Sequence, residues 1–471
     1  MLHTSTRGEA PPIGFTDALL AGLARDGGLY VPETWPALSR DTITGFAGRR
    51  YADVAKTVMD ALIDGEIPSP DLDRMVEEAY VDFRHPAVCP LVQIGDNLFV
   101  LELFHGPTLA FKDLAMQLLG RLMDHVLKAR GGRATIVGAT SGDTGSAAVE
   151  AFRSLDQVDV FILYPHGRVS DVQRRQMTGV DAPNVHALAV EGTFDDCQAI
   201  IKGLFNHARF RDELNLSGVN SINWARVAAQ AVYYFTAAVA LGGPHRKISF
   251  AAPTGNFGDV LAGWVAKNMG LPIECLMVAT NANDILHRTL SGGTYEIRSV
   301  TPTTSPSMDI QVSSNFERLL FEACGRDPAA VRGLMSSLAQ SRGFTIPDAP
   351  LARIRAEFAS QAVDEASVAD EIGATWREAG YLLDPHTAIG VRAARKLLAE
   401  RPETPVVALA TAHPAKFPEA VERATGRHPA LPPHLADLMD RPERFTVLPN
   451  DQAAIERFIR DHARAVRGVA A

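Results

Sequence analysis

The chain has 471 residues, of which 46% are hydrophobic and 21% are charged, and its formal net charge is −9 at pH 7. This length predicts two or three domains. The sequence contains no run of about 18 apolar residues, so no membrane span is predicted. The acidic balance argues against nucleic acid as the main partner, because a surface that follows phosphates needs clustered lysine and arginine.

Residues 1–90 are predicted to form a mostly helical N-terminal region. Apolar residues recur at helical spacing in residues 15–24, 51–62 and 71–81. The first residues lack the basic-then-apolar order of a signal peptide, so we expect a cytoplasmic protein. The four cysteines show no CxxC spacing, which favours reduced structural thiols over disulfides or a metal site.

From residue 91 onward the pattern predicts an α/β fold. Residues 91–94 and 97–101 flank Gly95-Asp96 as a hairpin, and a helix is predicted from Lys112 to about Arg130. Short apolar runs then alternate with helical patterns, which is typical of parallel-rich sheets flanked by helices. The predicted strands are residues 135–137, 160–163, 185–189, 248–251, 273–278 and 406–409, and the predicted helices are residues 146–152, 225–240, 259–268 and 385–399.

We divide this part of the chain into two α/β domains. The smaller one is predicted at residues 91–220 and the larger one at residues 221–427, followed by a helical C-terminal tail at residues 428–471. Residues 289–312 lack periodicity and are rich in Thr, Ser, Gly and Pro, so they are predicted to form a long loop.

Lys112 stands where an irregular Gly-Pro loop gives way to a helical sequence, between Phe111 and Leu114. Burying a charged amine is costly unless it is paired or neutralised. One interpretation is a neutral amine that reacts with a carbonyl compound. The alternative is an ordinary lysine in the first helical turn, with its stem along apolar surface.

Three loops at predicted strand ends carry groups suited to a ligand. Residues 140–146 and 253–259 each place glycines before a helix, where free N–H groups can bind a carboxylate or a phosphate. Residues 410–417 add hydroxyl, imidazole and amine side chains. Each loop alone is equally typical of a capped helix or a tight turn. Together with Lys112 they predict a pyridoxal phosphate enzyme that acts on an amino acid.

The chain also resembles the threonine synthase family, in particular its longer bacterial and fungal branch with a helical N-terminal region. The resemblance implies fold type II of the pyridoxal phosphate enzymes, the group that contains the tryptophan synthase beta chain. The matching motifs occur in family order at residues 5–8, 104–113, 139–148, 220–226, 253–259, 308–318 and 411–417.

The resemblance implies a role for particular residues. Lys112 would carry the cofactor covalently, and the hydroxyl of Thr411 would face the pyridine nitrogen and leave it unprotonated, which favours elimination over transamination. Asp143 would face the 3-oxygen of the cofactor, where the wider fold group commonly has asparagine. The family pattern also often has a tyrosine where this chain has His3. The residues implied to bind the cofactor phosphate are Gly255, Asn256, Phe257, Gly258 and Asp259, and those implied to bind the substrate are Thr140, Ser141, Gly142, Thr144, Gly145 and Arg226.

The implied reaction converts O-phospho-L-homoserine and water into L-threonine and phosphate, the last step of threonine biosynthesis. Lys112 would remove the α-proton and then a β-proton, phosphate would leave from Cγ, Cγ would be reprotonated, and water would add at Cβ. Side chains that could bind the substrate phosphate are those of Lys416, Arg226, Arg288, Ser313 and Ser314.

Several alternatives stay open at this point. Another fold type II enzyme, such as a serine or threonine dehydratase, would share the cofactor, and a catalytically silent homologue would share the fold. A phosphopeptide-binding or nucleotide-binding module would need neither. We expect a monomer or a homodimer without a bound metal.

Overall fold

The N-terminal region combines helices with a short antiparallel ribbon. The structure is a computed structural model and describes residues 1–467. The first predicted helix ends at Ala21 rather than residue 24, because Gly22 takes a positive φ of 65° and closes it. The ribbon, which pairs the first two strands, was not predicted. The elements are β1 His3–Ser5, α1 Phe15–Ala21, β2 Tyr30–Pro32, α2 Arg40–Thr44, α3 Tyr51–Ile63 and α4 Ser69–Tyr80.

Strands and helices alternate in the next part of the chain, as predicted. These elements are β3 Leu91–Gly95, β4 Leu98–Glu102, α5 Lys112–Ala129, β5 Ala134–Ala139, α6 Asp143–Phe152, β6 Val158–Pro165, α7 Asp171–Thr178, β7 Val185–Glu191, α8 Phe194–Asn206, α9 Ala208–Glu213 and β8 Leu216–Ser217. Helix α6 and strands β5, β6 and β7 are longer than the predicted runs, whereas α5 ends close to its predicted end and β4 has its predicted length.

The alternation continues to residue 410. The prediction of a loop at residues 289–312 is partly wrong. Residues 289–292 are the end of a helix, and residues 294–296 form a short strand that pairs with residues 343–345. The elements are α10 Trp224–Ala240, β9 Ile248–Pro253, α11 Gly258–Asn268, β10 Ile273–Thr280, α12 Ile285–Gly292, β11 Thr294–Glu296, α13 Phe316–Ala323, α14 Pro328–Ser341, β12 Gly343–Thr345, α15 Asp348–Glu357, β13 Phe358–Ala362, α16 Glu365–Ala379, α17 Pro385–Glu400 and β14 Val406–Ala410.

The tail is not wholly helical. Its strand pairs in parallel with β7, and its last helical stretch is interrupted at Ala463, which has an extended backbone. The elements are α18 Pro418–Thr425, β15 Thr446–Pro449, α19 Gln452–His462 and α20 Arg464–Arg467. The last four residues of the predicted tail, 468–471, lie outside the described residues.

Two main sheets organise the α/β part and confirm the predicted fold class. A five-stranded sheet has the order β15-β7-β6-β5-β8, and every neighbouring pair in it is parallel. A six-stranded sheet has the order β13-β10-β9-β14-β4-β3, with an antiparallel pair only at the β3 edge. No helix among residues 1–467 is long and apolar enough to cross a bilayer.

The hairpin β3–β4 differs from its predicted place. We assigned it to the smaller domain, but β4 pairs in parallel with β14, more than 300 residues further along the chain, and so belongs to the six-stranded sheet. Val100 and Leu101 are both fully buried, as expected for a strand covered on both faces. The loop after β4 therefore leads from the larger sheet to Lys112.

Helix α5 fixes the direction of that lysine. Leu118 and Leu122 are fully buried and Val126 nearly so, and the helix packs against α4, α6 and α10. Burial of each such side chain contributes roughly 1.5–3 kcal/mol. Gln117, on the same helix, is also buried and accepts a hydrogen bond from Arg121.

Candidate active site

Lys112 is the first residue of α5 and is only 9% exposed. Its Nζ donates a hydrogen bond to Ser307 Oγ at 3.3 Å and lies 3.8 Å from Asp143 Oδ2. Burial lowers the pKa of the amine to about 8, against the opposing effect of Asp143. Roughly a fifth of the amine is therefore neutral near pH 7.4, far more than of a solvated lysine, which suits a nucleophile.

Asp143 lies at the start of α6 and pairs with two lysines. Its Oδ1 is 2.8 Å from Lys416 Nζ and accepts a hydrogen bond from Gln173 Nε2, also at 2.8 Å. Burial alone would raise the pKa of this carboxyl, but Lys416 and Lys112 hold it well below its usual range. The carboxylate is therefore ionised, and its charge is balanced inside the protein.

The loop between β9 and α11 presents a row of unpaired N–H groups. None of the five backbone N–H groups of residues 255–259 donates a hydrogen bond to another residue in the described part of the chain. Their carbonyls are held instead: Gly255 O accepts from Ser313 Oγ at 2.7 Å, and Asn256 O accepts from Asn315 N at 3.1 Å and Nδ2 at 3.0 Å. Five free donors at the start of an 11-residue helix form a cradle for an anion.

Phe257 and Gly255 determine the backbone shape of this cradle. Phe257 has a positive φ of 63°, which turns the chain into α11, and its buried ring packs against Phe316 and Phe358. At Gly255 an added Cβ would come within 2.9 Å of the carbonyl oxygen of Ser307. The absence of a side chain thus lets the Ser307 loop lie against the cradle, and this contact links the cradle to Lys112.

The side chain of Asp259 is bonded to two tyrosines of α10. Its Oδ1 accepts hydrogen bonds from the hydroxyls of Tyr233 at 2.5 Å and Tyr234 at 3.0 Å. Burial raises the pKa of this carboxyl to about 6. Because the side chain is bonded to α10, only the backbone N–H of Asp259 is available to a ligand.

The second predicted cradle, residues 140–145, is smaller than expected. Thr140 Oγ1 accepts the N–H groups of Gly142 and Gly145, both at 2.9 Å, so these two donors are already used. The N–H groups of Ser141, Asp143 and Thr144 donate to no residue in the described range. An added Cβ on Gly142, which has φ of 146°, would collide with Gln173, so this loop needs glycine.

The third loop joins the lysine loop directly. Phe111 N donates to Thr411 O at 2.9 Å, and Ala110 and Ala412 form an antiparallel bridge. The hydroxyl of Thr411, immediately after β14, donates to no other residue within 1–467. It is therefore available to a ligand, next to the residue that precedes Lys112.

Arg226 lies near Lys112 but is engaged elsewhere. Its Nη1 donates to Val219 O at 2.8 Å, and burial lowers the pKa of the guanidinium to about 10. Its charge still lowers the pKa of Lys112. Three other predicted phosphate ligands are also occupied: Arg288 pairs with Asp284 at 2.7 Å, Lys416 pairs with Asp143, and Ser313 Oγ donates to Gly255 O.

Two residues of the site were missed by the sequence analysis. Ser307 and Gln173 contact Lys112 and Asp143, respectively, yet both are distant from these residues in sequence. The only signal for Ser307 was the Thr, Ser and Pro content of its loop. For Gln173 no local pattern existed, because it lies on an ordinary turn of α7.

These groups match what pyridoxal phosphate requires, namely an amine for its aldehyde, N–H donors for its phosphate and a polar partner for its ring. Residues 90–412 match the family model described as "Pyridoxal-phosphate dependent enzyme". Residues 2–80 match the model "Threonine synthase N terminus", and residues 387–459 match "Threonine synthase, C-terminal".

Comparison with known proteins identifies a family within this class of enzymes. The chain is 54% identical to threonine synthase from Pseudomonas aeruginosa over 98% of both chains. The crystal structure of threonine synthase with bound pyridoxal phosphate from Brucella melitensis is 61% identical, with a TM-score of 0.96 over 98% of this chain and 100% of that one. The yeast threonine synthase structure is 39% identical, with a TM-score of 0.93 over 98% of each chain. The chain belongs to the threonine synthase family.

This membership confirms the predicted cofactor and enzyme class, a pyridoxal phosphate-dependent lyase. It also favours threonine synthase over the dehydratase and silent-homologue alternatives, because the similarity extends over nearly the whole chain.

Proposed function

We propose that this enzyme takes O-phospho-L-homoserine as its substrate and releases L-threonine and phosphate. The proposal rests on two sets of unpaired N–H groups that Lys112 reaches through its contacts: Asp143 belongs to one set, and Ser307 packs against Gly255 in the other. One set, at residues 255–259, suits the cofactor phosphate, and the other, at Ser141, Asp143 and Thr144, suits the carboxylate of an amino acid.

The residues act as follows in this proposal. Pyridoxal phosphate, when bound, supplies an electron sink that stabilises negative charge on the carbon beside the substrate amine. Lys112 holds the cofactor and then moves protons at Cα and Cβ, for which a pKa of about 8 is suitable. Thr411 would offer its hydroxyl to the ring nitrogen of the bound cofactor, and Asp143 would lie on the side of the 3-oxygen.

Substrate recognition belongs to the loop of residues 140–145. The free N–H groups of this loop bind the carboxylate, and the hydroxyl of Thr140 keeps the loop in shape through Gly142 and Gly145. Arg226 contributes positive charge from a buried position: its Nη1 donates to Val219 O, whereas its buried Nε has no partner among the described residues and remains a donor for the substrate.

The experiment compares products from three substrates. Purified enzyme is incubated with O-phospho-L-homoserine, L-serine and L-threonine, and phosphate, threonine and keto acid are quantified. We expect equal amounts of phosphate and threonine from the first substrate. Keto acid without phosphate would instead identify a dehydratase. The Lys112→Ala variant serves as the blank for both products.

The proposal includes a cytoplasmic location and a monomeric or homodimeric state. All four cysteines are unpaired, and three of them are buried, which agrees with a reducing compartment. Cell fractionation followed by immunodetection tests the location. Light scattering coupled to size-exclusion chromatography tests the oligomeric state, and a mass above that of a dimer would contradict it.

A further inference from the structure

Lys416 is a fully buried lysine at the end of a short turn after Thr411, with 0% of its side chain exposed. Its Nζ donates to Thr108 O at 2.7 Å and lies 2.8 Å from Asp143 Oδ1. A buried ammonium is costly unless it is paired and hydrogen-bonded. Lys416 satisfies both conditions, and its acidic partner also faces Lys112.

The two oxygens of Asp143 have separate partners. Oδ1 is held by Lys416 and by Gln173 Nε2, whereas Oδ2 lies 3.8 Å from Lys112 Nζ and 3.5 Å from Ser307 Oγ. The carboxylate therefore has one oriented side and one side that faces the reactive amine. If Lys416 were absent, nothing with a full charge would hold Oδ1 in place.

We propose that Lys416 is a positioning residue, which acts through Asp143 to set the fraction of Lys112 that is neutral and able to react with the cofactor aldehyde. It shares the charge of Asp143 and so prevents this carboxylate from pairing fully with Lys112. This role concerns the loading of Lys112 and does not depend on which substrate the enzyme takes.

The groups that face Lys112 determine the expected directions. Asp143 and Asp113 raise the pKa of its amine, and Lys416 and Arg226 lower it. Lys416→Met removes a repulsive charge and also releases Asp143 to pair with Lys112, so the neutral fraction of Lys112 falls. Asp143→Asn removes the main counter-charge, so the neutral fraction rises. Each unit of pKa shift changes the neutral fraction about tenfold below the pKa.

The test uses apo-protein that is reloaded with pyridoxal phosphate, with the initial rate of appearance of visible absorbance followed from pH 6 to pH 10. Relative to wild type, we expect the pH midpoint to rise in Lys416→Met and to fall in Asp143→Asn. Lys267→Met is the matched control, because Lys267 pairs with Glu357 at 3.0 Å in the last turn of α11, away from Lys112. Its midpoint is expected to stay at the wild-type value.

The double variant Asp143→Asn with Lys416→Met separates positioning from general structural support. Without the carboxylate, Lys416→Met removes only the direct repulsion between Lys416 and Lys112. It should therefore raise the pH midpoint of loading by less than it does in the wild-type background. Equal shifts in both backgrounds, or a lowered melting temperature with no shift in Lys416→Met, would overturn the proposal. If Lys416→Met alone does not fold, the double variant must still fold and load at a higher midpoint than Asp143→Asn. An unchanged midpoint there would also overturn it.

Discussion

Replacement of Gly258 by alanine tests the anion cradle most selectively. Gly258 is the first residue of α11, and the nearest atom to an added Cβ is Asn315 Nδ2 at 3.4 Å. The protein itself can therefore accept the methyl group. A glycine-to-alanine change at a compatible position stabilises the fold by about 0.4–1 kcal/mol, so the apo-protein should be unchanged or slightly more stable.

Cofactor binding should respond in the opposite direction. An added Cβ on Gly258 lies beside Asn315, Gln230 and Ser221, at the start of the helix that follows the free N–H donors, and we expect the methyl group to keep an anion from at least one of these donors. A hydrogen bond to a charged group contributes about 1.5–3 kcal/mol, so the Kd for pyridoxal phosphate should rise by about 10- to 150-fold. The change therefore separates loss of binding from loss of folding.

Thermal unfolding of the apo-protein and titration with pyridoxal phosphate by visible absorbance provide the two measurements. Gly333→Ala is the control, because Gly333 lies within α14 and has no neighbour within 4 Å of an added Cβ. Gly255→Ala should impair both quantities, since its methyl group would meet the backbone of Ser307. An unchanged Kd in a folded Gly258→Ala variant would refute the cradle.

Three further substitutions test other parts of the account. Ser307→Ala removes the hydrogen bond to Lys112 Nζ, so kcat should fall about five- to tenfold, which corresponds to about 1 kcal/mol, with unchanged apo-protein stability; an unaltered kcat would contradict the role of this serine. His3 is fully buried, and burial lowers the pKa of its imidazole to about 4. Between pH 6.5 and pH 4 this imidazole is therefore protonated in the unfolded chain but neutral in the folded chain. His3→Phe should therefore gain up to about 3 kcal/mol of stability over wild type as the pH falls through this window, whereas the exposed His428→Phe control should not. Denaturant curves measure the stability difference between His3→Phe and wild type, and the same difference at pH 7.5 and pH 5 would contradict the prediction. For Asp259 the sign is reversed, because its folded pKa of about 6 lies above the unfolded value of 3.8. Asp259→Asn should thus gain up to about 3 kcal/mol over wild type as the pH rises from 4 to 7, and a gain on acidification would disprove this sign.

Much of the site follows from one rule about α/β folds, that ligands bind at the carboxyl ends of parallel strands. The predicted strands lead into the residue 140–145, residue 255–259 and Thr411 loops, and the structure has β5, β9 and β14 ending at these points. Lys112 follows β4 in the same way. Local apolar patterns were sufficient here because each loop is continuous in sequence with its strand.

Contacts between distant segments could not be predicted in this way. The hairpin β3–β4 joins the larger sheet through β14, and periodicity carries no information about the partner of a strand. Ser307 reaches Lys112 across 195 positions. The side chain of Asp259 accepts hydrogen bonds from Tyr233 and Tyr234, and the glycine motif that contains Asp259 carries no information about these partners on another helix.

The pairing of Asp143 with Lys416 could not be predicted from the sequence either. From the sequence, a carboxylate facing the cofactor's 3-oxygen implied repulsion unless one group carried a proton. The structure places Lys416 at 2.8 Å from this carboxylate, which neutralises it without a proton. Sequence separation of more than 270 residues, together with the surface character of most lysines, left no local sign of this pair.

The central claim is that Lys112 carries the cofactor, and reductive trapping tests it most directly. The yellow holoenzyme is treated with borohydride and digested, and the peptides are analysed by mass spectrometry. We expect the mass of the reduced cofactor on the peptide that contains Lys112 and loss of the visible absorbance. A label on Lys416, or on no lysine at all, would contradict the account.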